Sequence, residues 1–171
     1  MDEYFDIVDR EGRIVGRALR SECHGNPALI HQAVHVQVFD QEGRLFLQKR
    51  ASSKDIEPGK WDSSVGGHLR PGESPREGAQ RELEEELGVR AVLGDPAYSY
   101  LWQSPQETEL VRTFVMVHPG PFRLQASELE DGRFWTMQEI EELLVSGLAT
   151  LQFAYEFPML RDWLRRSGKF G

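Results

Sequence analysis

The chain has 171 residues, enough for one sizeable hydrophobic core, and carries a formal charge of −8. That charge excludes the basic footprint of a general nucleic-acid binder, and an acidic protein that acts on phosphates needs a cation to offset repulsion. The single cysteine, Cys23, excludes an intramolecular disulfide; no apolar run approaches the roughly 18 residues of a membrane span, and the acidic start Met1-Asp2-Glu3 is unlike a signal peptide, so a cytoplasmic location is expected.

No repeat or low-complexity tract divides the chain, which points to one domain over 1–171 with a core at about 30–165. Residues 1–30 read as an N-terminal extension, with two short strands around the turn Asp9–Gly12 or a strand followed by an irregular crossing. The stretch from Ser21 to Pro27 reads as loop. From about Ala33 to Arg50 an alternating strand, the turn Glu42-Gly43 and a second strand predict a hairpin. Lys49, Arg50 and Lys54 follow, either as solvated charge or as cations able to hold a terminal phosphate.

Pro71-Gly72 marks a turn, and Ser74 with Glu77 three residues later forms a capping box that opens a helix. The helix should run to about Leu87 and stop at Gly88, a residue suited to the left-handed conformation. Beyond it, two strands are expected around Ser104–Gln106, with Val111–Val117 as an inner strand, then an acidic loop and a short strand. Thr136 and Glu139 cap a helix carrying Ile140, Leu143 and Leu144. A last helix, about Phe153 to Ser167, carries Phe157, Leu160 and Leu164, with Arg161, Arg165 and Arg166 toward its C-terminal end. Trp61, Tyr98, Tyr100 and Trp102 are either core residues or a stacking surface for a base. These elements alone define an α/β or α+β class.

The helix after Ser74 is the most informative element. At about 100° per residue, Ala79, Leu83 and Leu87 form an apolar stripe, while Glu82, Glu85 and Glu86 converge on the adjoining face. A Glu-rich face is ordinarily just solvated, yet like charges at i and i+4 repel, and a cation reverses that sign. Clustered carboxylate oxygens suit Mg²⁺ or Mn²⁺, which retain waters and share substrate phosphate oxygens.

Between Gly67 and Val89 the chain has Gly67, Glu73, Arg81, Glu82, Leu83, Glu85, Glu86, Gly88 and Val89 at fixed spacing. Gly, Glu and Arg each fill about one position in fifteen, so seven fixed places match by chance at about one start in 10⁸. The pattern resembles an intact Nudix box, the signature of the Nudix hydrolases. That resemblance implies an α/β/α sandwich around a central mixed β-sheet. It implies metal-dependent attack of water on phosphorus in a nucleoside diphosphate linked to another moiety, a small-molecule substrate. Carried over by motif, Glu82, Glu85, Glu86 and the carbonyl of Gly67 become metal ligands, for Mg²⁺ with Mn²⁺ as a substitute. Arg81 orients carboxylates by pairing with Glu73 or Glu85. The general base comes from different loops in different members; Glu128 and Glu130 are the candidates here, with Glu107 or Glu109 as substitutes.

The region from His24 to Met116 also resembles the Nudix branch that contains isopentenyl diphosphate isomerase and its hydrolase relatives. The resemblance implies that Arg50 and Lys54 contact a diphosphate, and that His24, His31, His68, Glu107 and Glu109 form a second metal site near the pocket mouth, suited to Mn²⁺ or Zn²⁺. The departure is at Gly66, which stands where the isomerase has a catalytic cysteine. Glycine has no group to move a proton at an allylic carbon, so hydrolysis is the expected reaction and isomerisation the alternative, beside a non-catalytic phosphate-binding module.

Overall fold

A computed structural model describes residues 2–170. The elements are β1 (Tyr4–Val8), β2 (Ile14–Leu19), α1 (Arg20–Cys23), β3 (Ile30–Phe39), β4 (Leu45–Arg50), β5 (Trp61–Asp62) and β6 (Val65–His68). Then follow α2 (Pro75–Leu87), β7 (Tyr98–Gln103), β8 (Thr108–Val117), β9 (Leu129–Trp135), α3 (Met137–Ser146) and α4 (Leu151–Ser167). All described strands belong to one mixed sheet.

β3 is its centre. One edge of β3 pairs in parallel with β8 along its whole length, from Ile30↔Thr108 to Phe39↔Val117. The other edge meets β1 at Val8↔Ile30, β6 from Ala33↔His68 to Val36↔Val65, and β4 at Phe39↔Leu45, each antiparallel. The hairpin expected from Ala33 to Arg50 is therefore closed only at its turn. Beyond Phe39↔Leu45 the strands part, and β4 pairs instead with β9 and β5. On that edge of β3 the strand β6 takes the place of β4 from Ala33 to Val36, while β8 occupies the opposite edge.

Alternation along β3 sends its residues to two layers. Val34, Val36 and Val38, with Val65 of β6, pack against Ala79, Leu83 and Leu87 of α2. Phe39, with Leu45 and Leu47 of β4, packs against Ile140 of α3 and Phe153, Phe157 and Leu160 of α4. Helices thus cover both faces of a mixed sheet, as the sandwich expectation required.

The helix ends follow the capping rules. Ser74 accepts from the Glu77 N–H and the Glu77 carboxylate accepts from the Ser74 N–H, with Gly88 at φ 70° ending α2. Thr136, Glu139 and Gly147 do the same for α3. Three local expectations change. The stretch after Leu19 opens as the short helix α1, whose Glu22 carboxylate accepts from the Leu19 N–H at 2.8 Å. β1 and β2 are part of the main sheet rather than a separate extension. β9 begins at Leu129, so Glu130 lies on a strand and only Glu128 remains in the loop before it. No helix among the described residues is long and apolar enough to cross a membrane.

Candidate active site

The loop from β6 into α2 brings the box residues together around one guanidinium. Arg81 donates to both oxygens of Glu73, at 2.7 and 2.9 Å, to Glu82 at 2.6 Å, and to Glu85 at 3.3 Å. It also donates to the backbone carbonyl of His68 at 3.0 Å, which ties α2 to the end of β6. Only arginine has enough donors in a planar fork to hold three carboxylates and a carbonyl together. Burial works to raise the Glu73 carboxyl, but Arg81 and the Arg70 N–H outweigh it and hold it below its ordinary value.

Glu82 and Glu86 lie against the two glycines of β6. A Cβ on Gly67 would fall 2.2 Å from Cδ of Glu82, so the carboxylate occupies the space of the absent side chain. The Gly66 N–H donates to Glu86 at 3.0 Å. Burial, then the charge of Glu82, pushes Glu86 up to about 8. Burial also raises Glu82, against the pull of Arg81. A pair of carboxylates that resists ionisation in this way has the electrostatics that a bound cation would relieve. Glu85 is the exposed member.

The cationic candidates are close by. The Lys54 ammonium hydrogen-bonds Glu128; burial and Arg50 lower its affinity for protons, while Glu86 acts in the opposite direction. Arg50 donates to the Ile56 carbonyl at 3.0 Å and lies 3.8 Å from Asp62, so it braces the loop that carries Lys54. The two candidate bases have similarly exposed side chains; Glu128 lies beside Lys54, and Glu130 is paired with Lys49 at 3.3 Å.

The second cluster also assembles. His24, His31, His68 and Glu107 offer ligand atoms within 4.8 Å of one another. Glu109 joins them, 3.0 Å from His68 and 3.7 Å from His31. Nε2 of His24, both ring nitrogens of His31 and one oxygen of Glu107 are buried without a hydrogen-bond partner among the described residues. Buried polar atoms that converge unpaired fit a metal ion. Burial opposes charge on His31, but Glu107 and Glu109 lift it to about 9; the histidines in turn hold Glu109 well below the usual carboxylate range. His31 departs from the expected position at the pocket mouth, being fully buried with Phe5 of β1 stacked on it at 4.9 Å. The N-terminal strand thus roofs this cluster.

The aromatic candidates serve the interior. Trp61 packs edge-on against Trp135 at 4.8 Å, and Trp102 lies 5.4 Å from Tyr155. Tyr98 and Tyr100 donate their hydroxyls to Glu156 at 2.8 and 2.7 Å. Glu156 of α4 is fully buried, and it also contacts Nδ1 of His35 at 2.5 Å. Neither His35 nor Glu156 was expected as a site residue. The available signal was polarity out of place: His31, His35 and Gln37 alternate with valines in a buried strand, and Glu156 interrupts the apolar stripe of α4.

A family profile described as NUDIX domain matches residues 29–152. The chain is 36% identical over 143 residues to an isopentenyl-diphosphate Delta-isomerase of Streptomyces avermitilis, covering 80% of this chain and 73% of that protein. It is 34% identical over 142 residues to an uncharacterized Nudix hydrolase of Yersinia pestis, covering 81% and 75%. The uncharacterized Nudix hydrolase YfcD of Escherichia coli is 29% identical over 171 residues, covering 98% and 89%. A crystal structure of a Deinococcus radiodurans protein shares the fold at TM-score 0.77 and 24% identity, covering 90% of this chain and 96% of that one. A NUDIX hydrolase from Nitrosomonas europaea shares it at TM-score 0.63 and 20% identity, covering 81% and 89%. The chain belongs to the Nudix family and is an enzyme of its hydrolase class, which works with divalent metal ions on small molecules.

The clamp around Arg81 makes a direct prediction. Arg81→Ala leaves Glu73 and Glu82 partly buried and unpaired, and is expected to lower stability by about 2 kcal/mol at pH 7. Glu73 sits below its ordinary value of 4.5, so the stabilisation is present above that value and is lost as pH falls through it. Urea denaturation of both proteins at several pH values checks this; a difference that stays constant down to acid would refute the clamp.

Proposed function

We propose that this hydrolase cleaves a phosphoanhydride in a nucleoside di- or triphosphate or a related nucleoside-diphosphate derivative. The observation that carries the reading is the gathering of Glu82 and Glu85 on one guanidinium, with Glu86 held by the Gly66 N–H and Glu82 packed against Gly67. Glu82, Glu85, Glu86 and the Gly67 carbonyl would hold Mg²⁺, or Mn²⁺ in its place. The bound ion supplies neutralisation of the diphosphate and acidification of a water molecule. Arg81 and Glu73 orient the carboxylates, and Arg50 and Lys54 bind the phosphate chain. The water oxygen forms a bond to phosphorus, the bridging P–O bond breaks with its electron pair on the leaving oxygen, and a carboxylate takes the water proton. Glu128 is preferred to Glu130 for that proton because its partner is Lys54, the candidate phosphate ligand, the two side chains being similarly exposed.

The phosphate chain is a nucleotide's on the family argument. A phosphate-release screen over nucleoside di- and triphosphates, nucleotide sugars and dinucleoside polyphosphates identifies the member. On the substrate so found, Glu82→Gln and Glu86→Gln are expected to lose two or more orders of magnitude in turnover, since each removes an anionic ligand, with the fold retained. Turnover that survives both changes, or that persists in excess chelator, would sink the proposal.

A second reading, prenyl-diphosphate isomerisation, is favoured by the Streptomyces avermitilis relative and by the histidine cluster. Against it stands Gly66, which carries no proton-transfer group. Incubation with isopentenyl diphosphate and Mg²⁺ is therefore expected to yield no dimethylallyl product, and conversion at an enzymatic rate would reverse the ranking.

We propose also that His24, His31, His68, Glu107 and Glu109 hold a second divalent ion, Mn²⁺ or Zn²⁺, and that hydrolysis depends mainly on the box carboxylates. Under saturating Mg²⁺, His31→Ala is expected to cost less activity than Glu86→Gln. The opposite order would make the histidine site the principal one.

A further inference from the structure

The buried group around Glu156 has no part in the chemistry above, yet it ends beside the box. Glu156 accepts from Tyr98 at 2.8 Å, Tyr100 at 2.7 Å, Thr113 at 2.7 Å and Gln37 at 3.2 Å, and it contacts His35 Nδ1 at 2.5 Å. Gln37, Tyr98 and Thr113 crowd Oε1, whereas Oε2 has only Tyr100 and His35, so the imidazole completes the second oxygen. The reverse relation has a consequence: the carboxylate places a proton on Nδ1 and fixes the ring, which leaves Nε2 as the free end.

That free end faces Gly66. A Cβ at this position would lie 3.1 Å from Cδ2 and 3.4 Å from Nε2 of His35, so the missing side chain uncovers the distal edge of the ring. Nε2 makes no hydrogen bond among the described residues, and it is not among the enclosed polar atoms that lack a partner. The Gly66 N–H is on Glu86, which puts the uncovered edge at the border of the carboxylate cluster.

We propose that His35 is a substrate-contacting residue, whose Nε2–H passes Gly66 to donate a hydrogen bond to an anionic oxygen of the substrate's phosphate chain, with Glu156 as its positioning residue. The inference rests on the diphosphate reading above and adds a donor to it. Burial opposes charge on His35, but the Glu156 carboxylate 2.5 Å from Nδ1 outweighs it and raises the ring's affinity for a second proton, the form in which Nε2 is a donor. Gly66 then has a role of its own, since any side chain there would stand between donor and substrate.

The test uses the full chain with ¹⁵N-labelled histidine and backbone, and methylene diphosphonate with Mg²⁺ as a non-hydrolysable probe. Loading of the cleft is read from the Gly67 amide, as the change beyond that caused by Mg²⁺ alone, because Gly66 lies against the imidazole. The expected result is a shift of the His35 Nε2 resonance that saturates together with that amide. His35→Ala is expected to weaken the probe by about tenfold, the size of one charge-assisted hydrogen bond, and His35→Gln, which keeps an N–H donor, to recover part of that loss. Gly66→Ala guards against misfolding of the His35 variants: it covers Nε2 while the Nδ1 proton on Glu156 persists, and it should weaken the probe similarly. A Gly67 amide that responds while Nε2 stays unmoved, or Gly66→Ala that binds as well as the parent, would overturn the role of His35. A probe that moves neither resonance would instead overturn the diphosphate reading, and this inference with it.

Discussion

Glutamates crowded on one side of a partly buried helix face repel one another, and here the Arg81 guanidinium offsets that repulsion for Glu82 and Glu85. Its bonds to Glu73, Glu82 and Glu85 offset the like-charge repulsion, and its bond to the His68 carbonyl docks the helix on the sheet. The clamp nevertheless leaves Glu86 out. That carboxyl has the Gly66 N–H and the negative charge of Glu82 for company, and its raised affinity for a proton measures what the chain leaves for a cation to complete. Arg81 thus makes the site foldable without filling it.

The central strand β3 divides the labour between its faces. Val34, Val36 and Val38 build the apolar layer under α2, and burial of such side chains contributes about 1.5–3 kcal/mol each. The opposite face carries His31 at one end and His35 and Gln37 further on, polar groups whose desolvation is unfavourable unless each finds a partner. His35 and Gln37 find Glu156. His31 finds only Glu107 and Glu109 at ion-pair distance, with both ring nitrogens unbonded. One polar cluster is therefore anchored on a buried carboxylate, with Gln37 Oε1 and His35 Nε2 left without partners among the described residues, and the other has no such anchor, although they lie on the same face of the same strand.

What was legible in the sequence was local or strictly spaced. Ser74, Glu77 and Gly88 set the ends of α2 because capping needs residues only a few positions apart, and the box carried its meaning because a helix turns fixed spacing into one face. The path of β4 was not legible, because which strands pair is decided by burial of the whole sheet rather than by the Glu42-Gly43 turn. His31 was recognised as a candidate ligand but expected at the mouth, since its burial depends on Phe5, 26 positions earlier. The partnership of His35 with Glu156 spans 121 positions, and no local pattern ties one to the other.

Gly66 joins these threads. From the resemblance alone it is a loss, a glycine where a relative carries a reactive thiol, and it bears only on which reaction is absent. In the folded chain it is a constraint of a different kind, because its N–H serves Glu86 while its bare Cα lies against the His35 ring. A cysteine there would put a side chain into the 3.1 Å gap above the ring. A thiol at position 66 and an uncovered imidazole edge at position 35 therefore compete for the same space. The chain that lacks the first is the one in which the second, aligned by the Glu156 oxygen that it shares with Tyr100, can reach a substrate.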